Sequence, residues 1–267
     1  TLTAGNFSSS GAIDGDTVTL TNSGATYGSV DVGNNINVAV TGISIASATN
    51  GAAVVYGYQI GSTSANANIG TITAAPLTIT ANDISKSYGQ TVTFTGTEFT
   101  SSGLQGGQTI GSVNLTSSGA INTADVAGSP YSIVASNATG GTFNSTNYTI
   151  SYAPGNLTVT PAVLSYTADV VSTIYGTAVS GLSGSISGFV NGDTQSSATS
   201  GILAFSTLAT GTSNVGNYAI DGSGLTANTG NYVFAQAAGN ATALTISPAT
   251  LTYSANTAST TYGTAAS

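Results

Sequence analysis

Alternation of apolar and polar residues with a period of two runs through most of the chain. Four segments place β-branched, aliphatic or aromatic side chains on one face and hydroxyl side chains on the other: Thr17-Val-Thr-Leu-Thr21, Leu77-Thr-Ile-Thr80, Thr91-Val-Thr-Phe-Thr95 and Tyr148-Thr-Ile-Ser-Tyr152. This is the pattern of a half-buried β-strand. Turn-forming pairs such as Asn50-Gly51 and Asp221-Gly222 separate the segments. Many short strands at regular turn spacing predict an all-β fold built of β-sandwich, Ig-like domains.

The strand pattern is repeated on a larger scale. The stretch Pro161–Gly176 returns almost unchanged as Pro248–Gly263, and a shorter version runs from Pro76 to Gly89. The Tyr-Gly pair inside each stretch recurs with a period of 87 residues. A period of this length indicates a tandem array of domains, because a β-solenoid would repeat roughly every 20–30 residues.

Shared landmarks divide the chain into segments. Tyr88 lies 43 residues before Tyr131, and Tyr175 lies 43 residues before Tyr218, so the repeats share one internal spacing. The predicted domains are 1–75, 76–160 and 161–247, with 248–267 as the start of a further one. The residues that mark the repeats are Pro76, Tyr88, Gly89, Tyr131, Tyr148, Pro161, Tyr175, Gly176, Tyr218, Tyr232, Pro248, Tyr262 and Gly263.

Several of these landmarks resemble a known family. Pro161–Gly176, Gly216-Asn-Tyr218, Asn231-Tyr232 and the closing Leu244-Thr-Ile-Ser-Pro248 are similar to the MBG-type repeats of very large bacterial surface proteins, including filamentous-haemagglutinin-like adhesins. The resemblance therefore identifies residues 76–160 and 161–247 as MBG-like repeats, with a third beginning at Pro248.

The first segment resembles a companion repeat, the YDG type. The matching pieces are Gly15-Asp-Thr-Val-Thr-Leu20, Tyr27-Gly28, Asp31-Val-Gly33 and Tyr58-Gln-Ile60, the last of which we predict to be a strand. The Tyr-Asp-Gly signature of that repeat would lie before residue 1. We therefore expect a truncated first repeat and a chain that is an internal fragment of a longer protein.

The resemblance also implies a setting and a role. It implies a secreted protein at the bacterial cell surface, in which this segment is a stalk or fibre that spaces a distal binding region from the cell and supports adhesion or biofilm. The alternative is a glycan-binding adhesin module. The positions that the repeats share are Pro, Gly, Tyr and alternating apolar residues, which favours the spacer. The expected partners are neighbouring repeats of the same chain, identical chains in a fibre, and host or matrix glycans bound through other parts.

The joints between repeats predict an elongated rod. Thr160-Pro161-Ala162 and Ser247-Pro248-Ala249 connect one closing strand directly to the next opening strand, without a Gly/Ser linker. Proline fixes its own φ and restricts the preceding residue to extended backbone, so each joint is short and stiff.

Charged residues are scarce, and this excludes several functions. The chain has one Lys and no Arg against nine acidic residues, so it lacks the cations that bind a nucleic-acid backbone or an anionic membrane surface. Since 18 consecutive apolar residues occur nowhere, we expect no membrane insertion. His and Cys are absent, which removes the commonest general base, thiol nucleophiles and zinc ligands. We therefore predict no enzymatic activity, no catalytic residues and no cofactor.

Two Asp-containing loops are candidates for calcium. Asp14-Gly-Asp16 and the corresponding Asn191-Gly-Asp193 are turns of the kind that supply carboxylate oxygens. Neither loop has the further acidic ligands that calcium usually requires. We therefore favour a turn in which Asp accepts backbone N–H groups, and expect no metal site at Asp14, Asp16 or Asp193.

Two further groups of residues admit a binding and a structural interpretation. Lys86 and Glu98 flank a predicted hairpin of 86–88 with 93–99, and we interpret them as an exposed cross-strand ion pair rather than an isopeptide crosslink. The Tyr-Gly and Asn-Tyr pairs suggest either a strip on which carbohydrate stacks or core and corner residues whose hydroxyls bond to backbone. The second interpretation is favoured because buried Tyr usually finds a polar partner.

Overall fold

The structure is a computed structural model that describes residues 8–263 and 265, and its regular elements are almost all β-strands. We call residues 1–75, 76–160 and 161–247 the first, second and third repeats; residues 1–7 of the first lie outside the described part. None of the helices in the described residues has the length and apolarity that a membrane span requires.

Each repeat contributes six to eight strands within residues 8–263. The strands of the first repeat are β1 (Thr17–Thr21), β2 (Gly24–Tyr27), β3 (Gly33–Thr41), β4 (Ser44–Asn50), β5 (Ala53–Val54) and β6 (Ser64–Ile72). The strands of the second are β7 (Ala75–Ala81), β8 (Ile84–Ser87), β9 (Phe99–Ser102), β10 (Ile110–Thr116), β11 (Tyr131–Gly141), β12 (Tyr148–Ala153) and β13 (Gly155–Thr160). The third has β14 (Ala162–Ala168), β15 (Val171–Ile174), β16 (Gly184–Ser187), β17 (Thr199–Ser206), β18 (Gly216–Tyr218), β19 (Asp221–Ala227), β20 (Tyr232–Gln236) and β21 (Leu244–Ser247).

The helices are single turns in the loops between strands. The four-residue helix α1 (Gln195–Ala198) begins with a capping box, in which the Thr194 side chain accepts from the Ser197 N–H and the Ser197 side chain accepts from the Thr194 N–H. The 3-10 turns are Ser118–Ala120, Val126–Gly128, Ser145–Asn147 and Ala238–Thr242.

Contacts divide the chain into two compact units, and the division passes through the second repeat. Unit 1 is Thr1–Asn82, Thr95–Leu115 and Val134–Pro154. Unit 2 is Asp83–Phe94, Thr116–Ile133 and Gly155–Ser267.

Unit 1 contains the first repeat and part of the second. The first repeat forms two antiparallel sheets with the strand orders β1-β4-β5 and β2-β3-β6. Its core is formed by Val38, Val40 and Ile43, with Leu20 and Ile60 packed against them. The part of the second repeat in this unit has a sheet of order β12-β7-β9, in which β7 runs parallel to β12 and antiparallel to β9.

Unit 2 contains the rest of the second repeat and the third. In the second repeat, β8 runs parallel to β13. The third repeat has sheets of order β16-β14-β20, β15-β21-β18 and β17-β19. In it β14 pairs in parallel with β20, and β15 with β21. The second and third repeats therefore each pair their opening strands in parallel with strands near their end.

The core of the third repeat comes from the apolar half of the strand alternation. Leu164, Ile220 and Leu244 have no exposed surface. Tyr166 on β14 stacks on Phe234 at 5.3 Å between ring centroids and meets Phe205 edge-on at 6.5 Å. Burial of aliphatic and aromatic side chains stabilises the repeat by roughly 1.5–3 kcal/mol each.

The segment after the third repeat shows how much a strand depends on its partner. Residues 249–255 repeat the sequence pattern of β14, yet they form no strand in the described structure, and Leu251 and Tyr253 are almost wholly exposed. The corresponding Leu164 and Tyr166 are 0% and 4% exposed. In the third repeat, β14 pairs with β20, which comes about 70 residues later in the chain.

Two predicted strands are wrong. Residues 91–95 alternate ideally but form no strand, and the N–H of Val92 instead donates to Ala120 O at 2.9 Å. Residues 58–60 also lie outside the strands, and the Tyr58 side chain holds a turn described below. Alternation predicts which face of a segment is apolar, but it does not supply a neighbouring strand.

The predicted hairpin and ion pair around Lys86 are wrong as well. Strand β8 pairs with β13 rather than with residues 93–99, and Lys86 is only 8% exposed. Its ammonium donates to Gln90 O at 2.8 Å and to Ile121 O, and burial lowers the pKa of Lys86. The carboxylate of Glu98 has its own local donors, the N–H groups of Thr95, Gly96 and Thr97.

Candidate functional site: the junctions between repeats

A four-residue turn in the third repeat is held by a tyrosine hydroxyl. The turn Val190–Asp193 has positive φ at its two central residues, 57° at Asn191 and 79° at Gly192, and the Asp193 N–H donates to Val190 O at 2.9 Å. The Tyr232 hydroxyl accepts from the Val190 N–H at 3.2 Å and donates to Asp193 Oδ2 at 2.7 Å. Asn and Gly are the residues that tolerate such a turn.

The same arrangement occurs in the other two repeats. In the second repeat, Tyr148 accepts from the Gln105 N–H at 2.9 Å and donates to Gln108 Oε1 at 2.5 Å. In the first, Tyr58 accepts from the Ile13 N–H at 2.8 Å and donates to Asp16 Oδ2 at 2.7 Å. We call this element the tyrosine-held turn.

These contacts account for the residues that suggested calcium. Asp16 accepts from Tyr58 and, through Oδ1, from Asn50 Nδ2 at 2.8 Å; Asp193 accepts from Tyr232. The donors are thus side chains rather than the backbone groups that the sequence suggested. Gln108 fills the same place with a neutral amide, so the position needs an acceptor and not a charge. Asp14 is the positive-φ residue of its turn, at 51°.

Burial changes the ionisation of the tyrosine in the third repeat. Loss of solvent raises the pKa of Tyr232 to about 12, and the neighbouring Asp193 carboxylate adds to the rise. Both effects disfavour the phenolate, which keeps the hydroxyl proton available for donation. Among the described residues, no group of three or more His, Cys, Asp and Glu side chains is arranged to hold a metal ion.

The asparagine that precedes this tyrosine reaches into the preceding repeat. Asn231 Oδ1 accepts from the Val126 N–H at 2.9 Å, and its Nδ2 donates to Asp125 Oδ1 at 2.7 Å. Both partners lie in the second repeat. One primary amide thus satisfies a backbone donor and a carboxylate acceptor at once.

The first junction uses the same contact. Asn147 Oδ1 accepts from the Val32 N–H at 2.8 Å, and its Nδ2 donates to Asp31 Oδ1 at 2.6 Å. We call this pair of hydrogen bonds the asparagine clasp. It joins an Asp-Val pair of one repeat to the Asn-Tyr pair of the next, and each copy lies within one compact unit.

The second junction is also closely packed. Tyr88 is 9% exposed and meets the Tyr232 ring edge-on at 5.5 Å between centroids. Gly89 lies against Val190 so closely that a Cβ there would be 2.5 Å from the valine side chain. The Asn122 carbonyl accepts from both the Gly89 N–H and Asn191 Nδ2, each at 3.0 Å. Glycine is thus required at position 89 by its φ of +89° and by the approach of the next repeat.

The first junction is more open than the second. Its turn has Gln105 where the third repeat has Val190, and Gly106 where the third repeat has Asn191. It therefore lacks the branched side chain of Val190 and the side-chain amide of Asn191, which fill the second junction. A cleft of about 450 Å³ remains, lined among others by Val32, Ile72, Gln105, Gln108, Asn147 and Tyr148. The two junctions therefore share the clasp and differ in packing.

The tyrosines that mark the repeats in the sequence lie in three kinds of environment. Tyr88, Tyr148 and Tyr232 are buried, so they offer no stacking face to a carbohydrate. The hydroxyls of Tyr131 and Tyr218 donate to backbone carbonyls of Asp125 and Asn214, at 2.8 and 2.6 Å, as expected of corner residues. Tyr175 and Tyr262 are 45% and 104% exposed.

Sequence reasoning marked the Asn-Tyr pairs but missed the Asp-Val pairs that they bind. Asp31-Val32 and Asp125-Val126 are a weak signal, since Asp169-Val170 has the same sequence and belongs to no clasp in the described structure. The prolines lie at the expected joints: Pro161 alone separates β13 from β14, and Pro248 follows β21.

Comparison with known proteins gives one match. A family model of the MBG domain (YGX type) matches residues 77–158 and again residues 164–242. Neither a curated protein nor a solved structure matches the chain. Since the two tandem matches span more than half of its residues, the chain belongs to the MBG domain (YGX type) family.

Proposed function

We propose that this chain is a structural spacer, a segment of a stalk or fibre in a large secreted protein of the bacterial surface. The observation that carries the proposal is the asparagine clasp, which recurs at both junctions with the same four hydrogen-bonding atoms. A specific, repeated contact between neighbouring repeats is what a chain needs if it is to hold a fixed direction over many repeats.

The joints in the chain support the same proposal. Strand β13 ends at Thr160 and β14 begins at Ala162, so only Pro161 lies between the second and third repeats. At the first joint, β6 ends at Ile72 and β7 begins at Ala75. Short joints of this kind leave little freedom for the repeats to reorient, in contrast to Gly/Ser linkers.

In this role the partners are other repeats. Neighbouring repeats of the same chain occupy the junctions, and identical chains associate side by side where a fibre forms. We propose no catalytic function, since the chain has neither His nor Cys and its single Lys is buried. We propose an extracellular location, in line with a sequence that has no cysteine to be oxidised.

Small-angle scattering tests whether the repeats form a rod. A compact protein of this length has a radius of gyration of about 18 Å. We expect a clearly larger radius and a maximum dimension on the order of 100 Å, given strands of about 3.4 Å per residue set end to end.

Matched variants tie the scattering to the junctions. Asn231→Ala removes one clasp and is expected to broaden the distance distribution through bending at the second junction. Asn66→Ala, which changes an exposed asparagine on β6, is the control and should leave the profile unchanged. A radius of gyration near the compact value, or identical profiles for all three proteins, would contradict the spacer.

Glycan binding is a second candidate, favoured by the cleft at the first junction. Its lining combines the amides of Gln105 and Gln108 with the aliphatic side chains of Val32 and Ile72. Amides and apolar surface together suit a neutral sugar. Titration of the chain with neutral oligosaccharides, followed by NMR, should perturb these residues if the cleft binds sugar, and Gln105→Ala should abolish the effect.

A further inference from the structure

The third repeat carries the same surface with which the second repeat receives its neighbour. In the second repeat this surface consists of Tyr88-Gly89, the Asn122 carbonyl and Asp125-Val126, all of which contact the third repeat. We call it the docking surface. The corresponding residues of the third repeat are Tyr175-Gly176, Gly211 and Asn214-Val215.

Hydrogen bonds show that the two surfaces have the same framework. The Gly176 N–H donates to Gly211 O at 2.7 Å, as the Gly89 N–H donates to Asn122 O at 3.0 Å. The Tyr218 hydroxyl donates to Asn214 O at 2.6 Å, as the Tyr131 hydroxyl donates to Asp125 O at 2.8 Å. The correspondence therefore rests on contacts as well as on sequence spacing.

The two surfaces differ in whether they are covered. Tyr175 is 45% exposed where Tyr88 is 9% exposed, and Val215 is 53% exposed. A Cβ on Gly176 would meet no atom within 4 Å, whereas a Cβ on Gly89 would collide with Val190. Gly176 nevertheless keeps a φ of +93°, close to the +89° of Gly89. The third repeat thus has the framework of the docking surface, and within residues 8–263 and 265 nothing packs on Gly176 as Val190 packs on Gly89.

We propose that the docking surface of the third repeat binds a further MBG-type repeat, and we identify the groups that this repeat must supply. It must place an apolar residue of its tyrosine-held turn over Gly176. The tyrosine that follows its clasp asparagine must meet the Tyr175 ring edge-on. Its asparagine must donate to Asn214 Oδ1 and accept from the Val215 N–H. This inference rests on the proposed function and adds the partner and its contacts.

Two observations favour this occupant over an unrelated protein. The surface continues a series in which the first and second repeats already receive such a neighbour. The chain itself begins the required repeat, since Pro248–Gly263 restates Pro161–Gly176. Gly211 in place of Asn122 keeps the backbone carbonyl that the surface uses. Neutral Asn214 takes the place of the two aspartates, and its amide oxygen still accepts from an asparagine N–H.

Tyrosine nitration followed by mass spectrometry tests the proposal. The full chain is compared with an extended chain, in which a second copy of residues 161–247 replaces residues 248–267. We expect the nitration rate of Tyr175 to fall about fivefold in the extended chain, in proportion to the exposures of Tyr175 and Tyr88. Tyr56, which is 92% exposed, and Tyr88 are the reactive and protected references within each molecule.

The controls separate this inference from the proposed function. In the added copy, the asparagine that corresponds to Asn231 is changed to alanine. This variant should restore much of the nitration rate of Tyr175. If Tyr175 reacts equally in both chains while Tyr88 stays protected, the inference fails and the spacer stands. If Tyr88 reacts as fast as Tyr56 in the original chain, the junction itself is wrong and the spacer fails. The tyrosine of the added copy that corresponds to Tyr166 reports whether this copy folds. If it is nitrated freely, the added copy has not folded next to the third repeat. This result also contradicts the inference, because the same sequence folds next to the second repeat.

Discussion

At the scale of single residues, tyrosine hydroxyls stabilise one turn in each repeat by hydrogen bonds. Each of Tyr58, Tyr148 and Tyr232 satisfies one backbone donor and one side-chain acceptor of a turn. The acceptor is Asp in two repeats and Gln in one, so the hydroxyl proton is the constant feature. In a chain with so few charged residues, a neutral hydroxyl thus stabilises a turn in each repeat, with a carboxylate as its acceptor in two of them and an amide in the third.

The first prediction concerns this hydroxyl. Tyr232→Phe keeps the ring that packs on Tyr88 but leaves the Val190 N–H and the Asp193 carboxylate without their partner. We expect the free energy of unfolding to fall by about 1–3 kcal/mol, the cost of unpaired buried polar groups. Urea denaturation measures it. Tyr56→Phe, at an exposed position, is the control and should change little.

The second prediction concerns the only glutamate. The N–H and hydroxyl of Thr95 and the neighbouring N–H groups lower the pKa of Glu98 from 4.5 to about 2. Because the folded value is the lower one, the carboxylate stabilises the fold above about pH 4.5, and this contribution is lost as the pH falls towards 2.

Comparison with Glu98→Gln isolates this contribution from the aspartates. The difference in unfolding free energy between the two proteins should be constant near neutral pH and shrink between pH 4.5 and 2. A difference that does not depend on pH across this range would show that the carboxylate is not bonded as described.

At the scale of elements, sequence predicts strands better than it predicts their partners. The apolar positions of β7, β13, β14 and β21 were visible as alternation, and they are the buried positions of the structure. The parallel pairing of β14 with β20 was not visible, because no local pattern connects two segments so far apart. The failure at residues 91–95 has the same cause, since the alternating segment has no partner strand there.

The same limit explains which parts of the junction were predictable. Asn231-Tyr232 stands out because it recurs, but Asp125 lies 106 residues earlier and its role depends on the fold. Lys86 was interpreted as an exposed residue, because a lone lysine on a strand usually is. Its burial follows from the position of β8 between β13 and the loop that offers the Ile121 carbonyl.

The third prediction follows from the position of Lys86. Trypsin has one cleavage site in the chain, after this residue, which lies in β8 with its side chain bonded to two carbonyls. We expect the folded chain to resist trypsin, because cleavage requires the strand to open. Electrophoresis after digestion measures it. Rapid cleavage into two fragments under native conditions, at the rate found in urea, would show that β8 is not held in place.

At the scale of the whole molecule, the two junctions combine one shared contact with unequal packing. The clasp is present in both, but only the second has Val190 against Gly89 and Asn191 on the Asn122 carbonyl. The first retains its cleft. We therefore expect the second junction to be the stiffer of the two.

The fourth prediction measures the packing of the second junction with a matched pair of glycines. Gly89→Ala and Gly176→Ala place the same methyl group at nearly the same φ, +89° and +93°, so both bear the backbone strain of about 1–2 kcal/mol. Only Gly89→Ala also collides with Val190, and we expect it to cost about 1–3 kcal/mol more.

Thermal or urea unfolding of the two variants gives this difference directly. If Gly89→Ala and Gly176→Ala lose the same free energy of unfolding, the Val190 side chain does not pack against Gly89. A double variant, Gly89→Ala with Val190→Ala, should recover part of the additional loss, since it removes the side chain with which the new methyl group collides.

The parallel pairing of the first and last strands of a repeat has a consequence for the order in which the chain acquires structure. Strand β14 is synthesised about 70 residues before its partner β20. Residues 249–255, which repeat the sequence pattern of β14, form no strand in the described structure and leave Leu251 and Tyr253 exposed. Contacts that distant in sequence form slowly, because the intervening loop must close first. Each repeat must therefore emerge as a whole before it can fold. During that interval an apolar strand with almost no charged neighbours stays unpaired, and such a strand is prone to associate with other chains.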